Sequence, residues 1–399
     1  MHHNGLNYRY RCSARVVGAV MAAAVVLLMG VLQPTAAHDD LIYHVFVPNR
    51  ASADIGVIDS RTDTVVARIP VGRVPHQVVV SDTLRKLVAS NTEDNTISIV
   101  DLSTRKTLAT LPLDKEPEHM EISPMDDIVA VGNIGAGSVS LISLVDHKER
   151  HRITGFFEPH NLTWSPDGSL LYVANLGANH VSVVNVSQGK IVNEIPVADP
   201  QAVAKKTGTS ASEFQGIINV TRTPDGRFGF AAHGESGKMA VIDLRTGKTQ
   251  KSLDVGTMPW RAYTTANGQY MLVPNNGDET VAVIDTMTQE IVKVLPGAPD
   301  MTGVNTGWFD TTAFVISRGG DKVLILDLIA MQKVGEIPLK SSPETGVITP
   351  DGAKLYVALS GSDRVAVIDT KQRKLLTMIE GVGKEPWGAH MVGAVNYCH

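Results

Sequence analysis

Short apolar runs of Val, Ile, Leu and Tyr recur along this chain at a fixed interval, and almost nothing shows helical periodicity. The clearest run reads IGVID, ISIVD, VSLIS, VSVVN, MAVID, VAVID, VLILD and VAVID. Its last residues are Asp59, Asp101, Ser143, Asn185, Asp243, Asp285, Asp327 and Asp369, so successive gaps are 42, 42, 42, 58, 42, 42 and 42. One repeat therefore carries about sixteen extra residues, assigned to 198–213 (ADPQAVAKKTGTSASE). Within each interval four strand signals alternate with Pro-Asp-Gly or Asx-Gly punctuation, as in EPHNLTWSPDG, SLLYVANL, HVSVVNV and KIVNEIPV. Apolar residues fall on both parities of the third run, which suits a sheet buried on both faces.

Four-stranded units of this length predict an all-β, eight-bladed β-propeller. Seven blades with a stray hairpin is the competing count. The chain opens its first unit at LIYHVFVPN, a second strand without a first, and ends on PWGAHMVGAV, a first strand without its other three. Joining the two completes a blade and closes the ring, leaving no open sheet edge. The C-terminal strand is thus expected to complete the N-terminal blade, and its deletion to abolish soluble expression.

Composition adds the compartment. Arg9, Arg11 and Arg15, the apolar run 16–32 and the small residues of PTAAH read as a secretory signal over 1–37, with a retained membrane anchor as the alternative. The rest, 38–399, reads as a single propeller domain, periplasmic or secreted, with no later membrane span, and as a monomer. The formal net charge is −5 with both signs interspersed, which argues against a nucleic-acid partner. Cys12 and Cys398 are the two cysteines, so signal removal would leave one thiol and no internal disulfide.

The repeats LLYVANLGANHVSVVNV, KLYVALSGSDRVAVID and LTWSPDG resemble the YVTN-type β-propeller family and, more loosely, the eight-bladed haem d1 propeller of cytochrome cd1 nitrite reductases. The resemblance covers 41–393. It implies the fold, and with it a relation to haem d1-binding modules. No C-x-x-C-H motif is present, so a complete enzyme of that type is excluded.

Most repeated polar residues have turn explanations. The Asp closing each third strand fits an Asx-turn, and Pro-Asp-Gly at 166–168, 224–226 and 350–352 fits β-turns. GNIGAGS at 132–138 joins two strands and is expected to open no helix. Departures from the repeat carry more. His76, His119 and His160 stand at first-strand starts, one mouth of the axial channel. His233 replaces the Asn found at second-strand ends in Asn49, Asn91, Asn133, Asn175 and Asn275, and His390 lies deeper along its strand. Arg261 with Trp260, Trp387, Glu118, Glu344 and Arg318 stand around the same rim. Histidines converging from several blades are what a copper, zinc or haem-iron site needs. Strand alternation opposes this, because His76 and His160 directly follow their Pro while His119 is two and His390 four after. Either the rim is loop-like or only a subset meets; a polar mouth holding water or a small anion is the other reading. A second candidate metal site is His38, Cys398 and His399, which the chain ends would bring together with Cu(I)- or Zn(II)-type donors.

Three functions follow: a binding protein holding a metal, a haem-type cofactor or a partner such as a periplasmic redox or assembly protein; an oxidoreductase using His-ligated copper or a haem d1-like cofactor; and a cofactor-free scaffold. No nucleophile, general base or carboxylate pair stands out, which favours binding.

Overall fold

The computed structural model describes residues 41–198, 216–307 and 309–394. The described residues form eight blades of antiparallel strands. Seven are four-stranded sheets in simple sequence order, from Pro75–Ser81, Lys86–Asn91, Thr96–Asp101 and Lys106–Pro112 in blade 2 to Pro343–Ile348, Lys354–Leu359, Arg364–Asp369 and Lys374–Ile379 in blade 8. Blade 1 has three strands of its own, His44–Asn49, Asp54–Asp59 and Thr64–Pro70. Its inner position is filled from the other end of the chain. Phe46 N donates to His390 O at 2.8 Å, His390 N to Phe46 O at 2.9 Å, and Trp387 N to Pro48 O at 2.9 Å. The predicted clasp is present.

Eight apolar clusters lie between the blades, one at each interface of the ring. Tyr263, Leu272 and Val283 of blade 6 pack on Val304, Val315 and Leu324 of blade 7. The eighth cluster joins Val45, Val47 and Ile58 of blade 1 to Val347, Tyr356 and Val367 of blade 8, with Ala389 and Met391 of the clasp between them. Third strands are buried on both faces, while outer strands such as Gln332–Pro338 alternate toward solvent. This is why the third-strand runs lack alternation and the outer strands keep it.

The repeated Asp residues are turn devices, as expected. Asp101 Oδ1 accepts Thr104 N at 2.7 Å, and Asp285 Oδ1 accepts Thr288 N at 2.8 Å. These bonds hold the Asp101 carboxyl below its usual range. The segment after Asn133 departs slightly from expectation: Ile134–Ala136 forms one 3₁₀ turn. No helix among the described residues is long and apolar enough to cross a membrane.

Candidate metal centre at the channel mouth

Each inner strand begins at the same mouth with a distorted pairing. In blade 2 Pro75 faces Asn91, but the next paired residue, Val78, faces Ala89. Blades 3 and 4 repeat the shift between Pro117 and Met120 and between Pro159 and Leu162. Three residues advance against two, so each strand carries a β-bulge with one extra residue. The residue before each proline is left-handed: Val74 at φ 51°, Glu116 at 59° and Glu158 at 52°. Met258, Ser342 and Glu385 repeat the feature before their prolines, and Asp300 is left-handed at the same place before Met301, so it belongs to the architecture.

The bulge resolves the conflict with strand alternation. Residues one and two after the proline no longer point to opposite faces, and His76, His119 and His160 meet. The rings of His76 and His119 are 5.1 Å apart and those of His119 and His160 3.8 Å apart. Glu118 joins them, its Oε2 lying 3.9 Å from His119 Nε2. One ligand atom from each of His76, Glu118 and His119 lies within 4.8 Å of the other two.

The neighbouring blade fixes this segment. Thr92 Oγ1 donates to Pro117 O at 3.0 Å and Ser90 Oγ to Glu118 O at 2.7 Å, while Gln77 Oε1 accepts Met120 N at 2.6 Å. His160 Nδ1 is 3.0 Å from Ile218 O, which sets Nδ1–H as donor and turns Nε2 into the acceptor. Burial drives the Glu118 carboxyl up to about 7, opposed by the Arg50 guanidinium and assisted by Glu116.

Ring closure supplies one wall. Trp387, carried by the clasp, lies edge-on to His76 with centroids 6.2 Å apart, and the Arg50 guanidinium stacks 4.1 Å from the Trp387 centroid. Arg50 was not singled out from the sequence, because it follows the repeated Asn in a variable turn. Glu121, also missed, lies further along the blade 3 inner strand; burial pushes its carboxyl up to about 8 against the pull of Arg222 and Arg261.

The remaining candidates have other placements. His233 Nε2 bonds Asn179 Oδ1 at 2.8 Å while its Nδ1 accepts Ser236 N at 3.2 Å. Its bonds differ from those of the asparagines at this place in other blades: Asn91 accepts Gly72 N and donates to Thr96 and Ser98 of its own blade, whereas His233 reaches Asn179 in the preceding blade. Burial lowers His233 to about 4. His390 is likewise lowered to about 4 by burial, and its main chain forms the clasp. Arg261 is buried, with its guanidinium 5.7 Å from the Tyr263 ring centroid. Arg318 pairs with Asp300 at 2.7 Å and with Glu344 at 3.1 Å. His38, Cys398 and His399 lie outside the described residues, as do the signal segment and residues 199–213 of the expected insertion.

A family model described as YNCE-like beta-propeller matches residues 85–396. Protein NirF of Pseudomonas aeruginosa is 24% identical over 187 residues, which are 42% of this chain and 47% of NirF. The chain spans half or less of the length of the curated relatives it matches. Among solved structures, dihydro-heme d1 dehydrogenase NirN in complex with DHE superposes with a TM-score of 0.74 at 17% identity, covering 89% of this chain and 76% of NirN. Apo AztD from Citrobacter koseri gives 0.64 at 15% identity, covering 89% of this chain and 98% of AztD. At these identities the two structures show the fold alone.

Proposed function

Because the chain belongs to the YNCE-like β-propeller family, a frame whose activity must be sought in its sites, we propose that it is an exported binding protein that holds a divalent transition metal at the channel mouth. The observation that carries this reading is the grouping of His76, Glu118 and His119, one ligand atom each, within 4.8 Å. Two imidazoles and a carboxylate suit Zn2+ or Cu2+, and no thiolate in this set favours Cu(I). His160 stands beside them with one nitrogen committed to a main-chain carbonyl, the arrangement that orients a ligating imidazole. The pattern of residues 1–37 supports export. Binding is preferred to catalysis because the cluster lacks a nucleophile paired with a base.

A haem-type cofactor is the second reading. Likeness to NirN, whose structure is titled as a complex with DHE, favours it, and the Arg50–Trp387 stack beside the histidines offers a flat, cationic wall. Elemental analysis and visible absorption of protein purified from its native host separate the two. Stoichiometric zinc or copper in colourless protein supports the metal reading. A haem-type spectrum supports the second, and protein lacking both contradicts each.

A further inference from the structure

Side chains stitch the inner strands to one another around the channel. Two residues after the start of the strand, Gln77 Oε1 accepts Met120 N at 2.6 Å and Asn219 Oδ1 accepts Ala262 N at 3.3 Å. Four residues after it, Thr163 Oγ1 donates to Val220 O at 2.7 Å, Thr221 Oγ1 to Ala262 O at 2.6 Å and Asn305 Nδ2 to Gly346 O at 3.2 Å. Each bond runs from one blade to the main chain of the next, and Thr163, Asn219, Thr221 and Asn305 are buried.

Asn161 and Glu121 hold these same places, two residues after Pro159 and four after Pro117, yet their side chains bond no neighbour among the described residues. Both are partly exposed on strands that the rest of each blade covers, so the space they open onto is the axial channel. Glu121 Oε2 is itself shut off from solvent and has no hydrogen-bond partner, a costly state that calls for a cause. Arg222, five residues after Ile217 in blade 5, is half-buried and its guanidinium meets no acceptor among the described residues. Trp164 holds that place in blade 4 and reaches back to Glu121 O at 3.2 Å. The register thus turns Arg222 back toward blade 4, as it turns Glu121 forward toward blade 4. The guanidinium acts on the Glu121 carboxyl through its field but forms no ion pair with it. Two opposite charges held near each other and apart leave both uncompensated, which a molecule carrying the complementary pair would correct.

We propose that the channel beyond the histidine cluster binds a small zwitterion of the α-amino acid class, its ammonium on Glu121, its carboxylate on Arg222 and the Asn161 amide beside both. The site lies two residues further along the blade 3 strand than His119 and does not depend on the metal reading.

Calorimetric titration of the full chain with glycine tests it, at pH 8 and low salt, with EDTA present so that no metal supplies the contact. Glycine is the smallest of the class, so channel width does not decide the outcome. One saturable site is expected, with acetate and methylammonium, which carry one charge each, at least tenfold weaker. Glu121→Gln and Arg222→Gln should each weaken glycine at least tenfold, while both keep the parent's far-ultraviolet circular dichroism and, without EDTA, its Zn2+ affinity. No saturable binding, acetate or methylammonium binding as well as glycine, or undiminished glycine binding by either folded variant overturns the proposal.

Discussion

Phe46 and His390 exchange both of their main-chain hydrogen bonds, at 2.8 and 2.9 Å, across 344 positions of sequence. That exchange completes blade 1 and seats Ala389 and Met391 in the apolar seam between blades 1 and 8. It also carries Trp387 to His76. Closure of the ring and construction of one wall of the site are thus the same event.

Breaking the clasp should unfold the ring. His390→Pro removes the donor to Phe46 and cannot adopt the pairing. We expect loss of soluble protein, or a fall in Tm of more than about 10 °C, with truncation after residue 385 worse. His390→Gln, which keeps the main-chain pair, should fold. A proline variant with parental Tm would contradict the closure.

His233 should confer acid sensitivity. Burial lowers it to about 4 from an ordinary value of 6.5, so between those values the unfolded chain binds the extra proton. Its contribution is complete above pH 6.5 and declines as pH falls toward 4, by up to roughly 3 kcal/mol. Glu121, raised to about 8, acts in the opposite sense, so the comparison must be variant against parent. His233→Asn, the residue other blades use here, should leave Tm near neutral pH within a few degrees and raise it relative to the parent at pH 4.5. Equal acid sensitivity in denaturant titrations of the two proteins would count against this assignment.

Glu344 is 2% exposed and its carboxylate is met by Arg318 at 3.1 Å and Ser360 Oγ at 2.5 Å. Arg318→Met should destabilise by roughly 1–3 kcal/mol, the exposure of the arginine reducing the value from that of a fully buried pair. Adding Glu344→Gln should recover much of the loss. Urea denaturation of the single and double variants measures it, and additive losses would mean the two residues do not act as a pair.

The architecture was legible because a repeat imposes its period on every blade: gaps of 42 residues marked the blades, and the unmatched strands at each end marked the clasp. The site was legible only as departures from that repeat. His76, His119 and His160 stood out, but strand parity set them against each other, because the bulge after each proline leaves no signature in residue type. Glu118 stood in the rim inventory without a ligand role, since only the fold brings it within reach of His119. Arg50 and Glu121 acquire meaning from neighbours dozens to hundreds of positions away. His233 drew attention for its residue type, yet both of its ring nitrogens are taken by Asn179 and by the amide of Ser236 in its own turn.

Metal titration of the mouth tests the central claim most directly. Metal-depleted protein titrated with Zn2+ and Cu2+ should bind one ion tightly. His119→Ala, and His76→Ala with Glu118→Gln, should weaken that ion at least a hundredfold while far-ultraviolet circular dichroism remains that of the parent. Undiminished affinity and stoichiometry in folded variants would contradict a metal centre at the channel mouth.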